Sequence, residues 1–273
     1  MKYNKISKDQ YVQNILKNIP TKKKDNRLYF RECNKDEETL DSFDRVKLLF
    51  KKYPKLYYFL VNYISPVYSN ERSLKKFLNS VDGIILNIGS GNSPRKTGIL
   101  NVDIMDYENV DIICDIHDLP FKNESVDAIL NIAVLEHVQS PQHILDEIYR
   151  VLKPGGKVFS VIPFMQPFHA SPNDFQRYTL PGIEFLHNDF KKVDSGVYAG
   201  PLSASLWVLQ EFIASTLSLG SKRVRNLLTI FLMFLLWPLK FFDIVLNNLD
   251  TSKNLASSFY FQGVKPSSLR YSD

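Results

Sequence analysis

The stretch Ile84-Ile85-Leu86-Asn87-Ile88-Gly89-Ser90-Gly91-Asn92 decides the fold. An apolar strand that runs out into Gly-x-Gly leaves bare backbone at its tip, so a ligand can press close with no side chain in the way. A second apolar run, Ile99-Leu100-Asn101-Val102-Asp103, ends in a carboxylate. At the tip of a neighbouring strand such a group accepts two hydrogen bonds from the cis-diol of a ribose. The two features together predict a pocket for a nucleoside-containing cofactor.

Outward from that pocket, short apolar runs alternate with helical stretches, the pattern of βαβ units and a parallel sheet. The runs predict strands at 84–88, 99–103, 110–114, 126–131 and 156–162, with further strands at 193–199 and 258–264. A helix is expected from Pro141 to Leu152, with Ser140 as N-cap and Lys153-Pro154-Gly155-Gly156 as its stop. A phosphate-binding dinucleotide site wants a third glycine and a full crossover helix. Here Pro94 stands in place of that glycine, and only about ten residues link the first two strands. S-adenosylmethionine, which has no phosphates, loses nothing from the shortened turn.

Six collinear motifs carry a resemblance. They are Asn87-Ile-Gly-Ser-Gly91, Asn101-Val-Asp103, Cys114-Asp-Ile-His-Asp-Leu-Pro-Phe121, Ser125-Val-Asp127, Val134-Leu-Glu-His-Val138 and Glu147-Ile-Tyr-Arg-Val-Leu-Lys-Pro-Gly-Gly156. Over roughly 80–200 the chain resembles class I S-adenosylmethionine-dependent methyltransferases of the type-11 group, including members linked to bacterial cell-surface glycan biosynthesis. The resemblance implies an α/β, Rossmann-like, mostly parallel sheet of seven strands in the order 3-2-1-4-5-7-6, the last strand antiparallel, with helices on both faces. It also implies roles. Asn87, Gly89, Ser90 and Gly91 would line the methionine and ribose portion, and Asp103 would hold the ribose hydroxyls. Asp115 and Ile116 would meet the adenine, and Asn131 and Ala133 the sulfonium end. His137 opens a helix or faces substrate, Asp127 reads as a strand-entry residue, and His117 and His143 as surface positions.

After the fifth strand, Pro163-Phe-Met-Gln-Pro-Phe-His169-Ala-Ser-Pro-Asn-Asp174-Phe-Gln-Arg177-Tyr178-Thr179 leaves the carboxyl edge of the sheet, where open α/β folds place ligands. Methyl transfer is an in-line displacement, and aligning the acceptor is worth up to about 7–11 kcal/mol. His169 suits a base for a hydroxyl acceptor, with Asp174 orienting or replacing it and Arg177 binding an anionic group. The other reading makes Asp174 and Arg177 an internal ion pair that shapes the loop, with His169 capping a turn. No metal-ligand constellation is visible in the spacing.

The composition is that of a globular protein: 273 residues, 44% hydrophobic, 23% charged and a net charge of +5. The two cysteines, Cys33 and Cys114, form no disulfide framework. No leader pattern opens the chain, so a cytoplasmic location is expected. Four regions are read: an N-terminal, partly helical extension (1–80, with helix-like spacing at 41–50 and 55–64), the cofactor-binding core (81–200), an apolar helical insert (201–253), and a final strand and tail (254–273). In the insert, Lys222, Arg223 and Arg225 precede the apolar run 227–246, which Pro238, Lys240 and Asp243 interrupt. This reads as an interfacial membrane anchor on the inner face of the membrane, near a lipid-linked acceptor. Buried helices or a dimer interface are the alternative.

The expected function is S-adenosylmethionine-dependent methylation of a small-molecule, glycan or lipid-linked acceptor, at an oxygen. The alternatives are a quinone- or polyketide-type C/O-methyltransferase and a non-catalytic cofactor-binding scaffold. No nucleic-acid partner is expected, since the basic residues follow no RNA-binding pattern.

Overall fold

The computed structural model describes residues 8–31, 65–169 and 173–267. The expected helices at 41–50 and 55–64 lie outside these residues. The core strands are β3 (Ile85–Ile88), β4 (Ile99–Asp103), β5 (Ile112–Ile113), β6 (Val126–Ile132), β7 (Leu152–Pro163), β8 (Lys191–Ala199) and β9 (Ser258–Val264). They stand in the order β5-β4-β3-β6-β7-β9-β8. β9 runs antiparallel to both of its neighbours.

Among the described residues the sheet has nine strands, not seven. A hairpin from the N-terminal extension, β1 (Lys22–Lys24) and β2 (Arg27–Tyr29), adds itself to the β5 edge, so the full order is longer than expected. Asp25 and Asn26 both adopt positive φ at its turn, the geometry of the tightest hairpins. Helix α1 (Lys8–Ile15) precedes it, with Val12 and Ile15 in the core. The extension is therefore partly an edge of the sheet and not only a helical cover.

Alternation along β3 fills both faces. Leu86 and Ile88 pack with Ile144, Leu145, Ile148 and Val151 of α3 (Pro141–Val151), while Ile85 joins Phe159 and Phe77, the last from α2 (Arg72–Asn79). Ser140 precedes α3 without a side-chain cap bond. The expected stop, residues 153–156, is the start of β7. Asp127 secures this end of the sheet, accepting from Ile84 N at 3.1 Å and Lys153 Nζ at 2.6 Å. Between β3 and β4 there are turns and no helix, as the short link requires.

After β7 come α4 (Leu180–Leu186) and β8, and then the insert. It contains α5 (Pro201–Leu217), α6 (Lys222–Leu236), a 3₁₀ turn at Trp237–Phe242 and α7 (Asp243–Leu246). Two of the three residues that interrupt the apolar run, Lys240 and Asp243, are turned inward, whereas Pro238 is exposed. Asp243 is fully buried and caps α5, accepting from Leu202 N (3.0 Å), Ser203 N (2.8 Å) and Ser203 Oγ (2.6 Å). Lys240 is also buried and donates to Ser65 O at 2.8 Å. The outer face is left apolar: Leu227, Ile230, Phe231, Phe234, Leu235, Phe242 and Val245 are all exposed. Residues 222–246 are long and apolar enough to cross a membrane, and only 17% of their most apolar window is buried.

Candidate functional site

The β3–β4 register sets Ile88 beside Val102, so Gly89 and Asp103 meet at neighbouring tips. Gly89 and Gly91 both hold positive φ (61° and 55°). A Cβ on Gly89 would lie 2.5 Å from Val134, whereas one on Gly91 would project into open space. The turn thus requires the first glycine for packing and keeps the room above the second free. Asp103, nearly buried, accepts from Gly91 N at 2.7 Å and Met105 N at 2.8 Å. A carboxylate is an acceptor-only group with about four lone-pair sites, the chemistry that suits a ribose diol. Ser90 N donates to Val102 O, and Asn87 donates to Asn101 Oδ1 at 3.0 Å, which ties the two strands behind the tip.

Asp115 lies beyond β5. Its Oδ1 accepts from His117 N (2.9 Å) and faces His117 Nδ1 (2.7 Å), with Arg31 3.7 Å from Oδ2. Burial alone would raise its pKa, but the His117 bonds and Arg31 outweigh that and hold it below the usual range. Ile116 packs on the core beside it. His143 is exposed, and its ring meets that of His117 at 5.8 Å. At the end of β6, Ala133 is exposed with φ 55°, a strained conformation for a residue with a Cβ. Asn131 does not open onto this space. Its side chain is fully buried and donates to Ser160 Oγ at 2.7 Å, which in turn meets His187 Nε2 at 2.7 Å. It supports the tip from behind.

His169, Asp174 and Arg177 do come together. Arg177 binds both carboxylate oxygens of Asp174, which also accepts from His169 N at 2.9 Å. Burial would raise the Asp174 pKa, but the Arg177 bonds and the His169 N–H carry it down to about 2. The pair is thus internal, and Asp174 is no proton acceptor near neutral pH. Burial lowers the His169 pKa, against the effect of its Pro167 bond.

Residues 173–178 fold over the 3₁₀ turn Leu135–His137. Phe175 N donates to Glu136 O at 2.8 Å, and Gln176 Nε2 donates to Val138 O at 3.0 Å. Glu136 is completely buried here, and among the described residues neither of its carboxylate oxygens has a hydrogen-bond partner. Burial pushes its pKa up to about 7, against the lowering influence of its own N–H and of Arg177. The sequence reading missed Glu136 as a site residue, since nothing local in the sequence predicts that this lid returns over its turn. It also missed Trp207 of α5, whose ring centre lies 5.4 Å from that of His169. Nearby, Phe164, Met165, Val208 and Phe212 line an apolar groove of about 420 Å³ between the loop and α5.

Residues 98–160 match the family described as "Methyltransferase domain". The matched segment runs from β4 into β7 and includes Asp103, Asp115 and Ala133, while the Gly89–Gly91 turn precedes it. Such a domain binds S-adenosylmethionine. The geometry fits that donor: a nucleoside carboxylate at Asp103, open space above Gly91, and no helix N-terminus seated for a diphosphate. An uncharacterized protein of Methanocaldococcus jannaschii is 33% identical over 122 residues, which are 40% of this chain and 58% of that protein. Demethylmenaquinone methyltransferase of Tropheryma whipplei is 36% identical over 99 residues, 34% of this chain and 40% of that enzyme. The chain thus spans about half the length of the curated relatives it matches. Among solved structures, phosphoethanolamine N-methyltransferase 2 of Haemonchus contortus is 18% identical, with a TM-score of 0.43 over 71% of this chain and 51% of that one.

Proposed function

We propose that this chain is an S-adenosylmethionine-dependent methyltransferase that methylates an oxygen of a small-molecule, glycan or lipid-linked acceptor presented at the inner face of a membrane. The observation that carries the reading is the Gly89–Gly91 turn closed by the Asp103 carboxylate, with free space above Gly91. Gly89, Ser90, Gly91 and Ala133 would hold the methionine end, Asp103 the ribose, and Asp115 with Ile116 the adenine.

When bound, the cofactor supplies an electrophilic methyl on its sulfonium. The side chains beyond β6 and β7 act on the acceptor. His169 Nδ1 lies 3.0 Å from the Pro167 carbonyl, which can only accept, so Nδ1 carries the proton. Nε2 then keeps a lone pair for the acceptor's hydroxyl proton. Asp174 and Arg177 are positioning residues that hold the His169 loop closed. The exposed apolar face of α6 and α7, with Lys222 and Arg223 at its start, supports contact with an anionic lipid surface. A quinone-type acceptor is the second reading, favoured by the stretch shared with the Tropheryma enzyme and by the apolar groove beside the loop.

The test is transfer from radiolabelled donor to fractionated membranes and soluble metabolites, together with calorimetric titration of S-adenosylhomocysteine. Asp103→Ala removes two hydrogen bonds to a charged acceptor, each worth about 1.5–3 kcal/mol. Donor affinity should fall by about 100-fold or more. Unchanged affinity in that variant would remove the basis of the reading.

A further inference from the structure

The return of the lid over the turn after β6 gathers Glu136, His137 and His169, with one ligand atom from each within 4.8 Å of the others. Both imidazoles have their tautomer set from behind. His137 Nδ1 faces Asn173 O at 2.5 Å, and His169 Nδ1 faces Pro167 O at 3.0 Å. A carbonyl oxygen only accepts, so each Nδ1 is protonated and each Nε2 keeps its lone pair. Arg177 Nη2 passes 3.3 Å from His169 Nδ1, but it has Asp174 and Pro167 O as acceptors. The third member is the fully buried Glu136 carboxylate with two unpartnered oxygens. Such a group is costly to bury unless a cation or a proton meets it.

We propose that Glu136, His137 and His169 bind a divalent transition-metal cation, which takes the acceptor oxygen as a further ligand. Two imidazoles and a carboxylate are a donor set for zinc, iron or cobalt that leaves coordination positions open. The backbone carbonyl behind each Nδ1–H is the outer-shell arrangement that orients metal-binding histidines. Ligands about 2.1 Å from a tetrahedral ion stand about 3.4 Å apart. Glu136 Oε1 and His137 Nε2 are already 3.8 Å apart, and rotation of the two part-exposed rings closes the rest. The neighbouring Arg177 charge is matched by Asp174.

The function of this centre rests on the methyltransferase reading, whereas cation binding does not. A coordinated hydroxyl loses its proton to solvent more readily. Its oxygen then forms the bond to the methyl carbon, and the carbon–sulfur pair leaves with the sulfur as a neutral thioether. The cation thereby takes over the role assigned to the His169 lone pair in the metal-free protein.

The test titrates full-length protein, stripped with a chelator, with zinc and with cobalt. It is read by calorimetry and by the visible bands of bound cobalt. One cation per chain is expected, with affinity lowered by about 100-fold in Glu136→Gln and in His169→Gln. Both variants should keep wild-type binding of S-adenosylhomocysteine, which also confirms that they are folded. Absence of binding in the micromolar range, or binding unaffected by both variants, overturns the proposal. Cation binding without methyl transfer to any acceptor would instead count against the methyltransferase reading.

Discussion

At the β3–β4 tip the polar groups face the ligand space, with Asp103 and the Gly89–Gly91 backbone around an opening and the apolar side chains behind them. In the insert the arrangement is reversed. Asp243 and Lys240 are buried against α5 and Ser65, and the phenylalanines and leucines face outward. The same rule operates in both places: a buried polar group must find a partner. The difference lies in what each leaves at its surface, polar groups around an opening in one case and an apolar face in the other.

The contrast is most directly broken at the insert. Replacing Phe231 and Phe234 by Glu removes two large exposed apolar groups, each worth about 1.5–3 kcal/mol when buried. Co-sedimentation with anionic vesicles should fall by at least about 100-fold while donor binding is kept. Full-length protein that ignores such vesicles would leave the apolar face to another copy of the chain or another partner.

The interior behind the tip is sharpened by acid. His187 is buried between Ser160 and the Ile183 carbonyl, and burial lowers its pKa to about 4, against the Ile183 bond. The unfolded chain binds a proton below about pH 6.5 that the folded chain refuses until about pH 4, so stability falls as pH drops through that window. The loss amounts to about 3 kcal/mol, readable by urea unfolding at several pH values. His187→Gln should flatten that slope, and an unaltered slope would assign it to other groups.

The smallest effects separate the two glycines. Gly89→Ala meets Val134 and should cost about 1–3 kcal/mol of stability. Gly91→Ala bears only the backbone strain of about 1 kcal/mol, because its Cβ enters open space. It should instead weaken donor binding. Thermal melts and titrations of the two variants should therefore rank them oppositely.

The strand tips were legible because they are local: an apolar run, two glycines and a terminal carboxylate sit within one short stretch. The order of the core strands followed from the motif series. The N-terminal hairpin was not seen, since Lys22–Lys24 is exposed and carries no alternation. The Asp25-Asn26 pair was its one sequence signal. Non-local features were hidden. The run 227–246 looked interrupted because sequence does not say that Lys240 and Asp243 point inward, and nothing local to Glu136 announces its burial. The Asp174–Arg177 pair was one of two readings that the sequence left open, and the structure closes the pair on itself.

Trp207 connects the two regions. It stands on α5, the helix against which the apolar α6 packs, and its indole lies against the imidazole proposed to meet the acceptor. A displacement of α5 would therefore reach His169 through this ring contact. The second tryptophan is Trp237, so a Trp237→Phe chain leaves an emission that reports on the surroundings of the His169 ring alone.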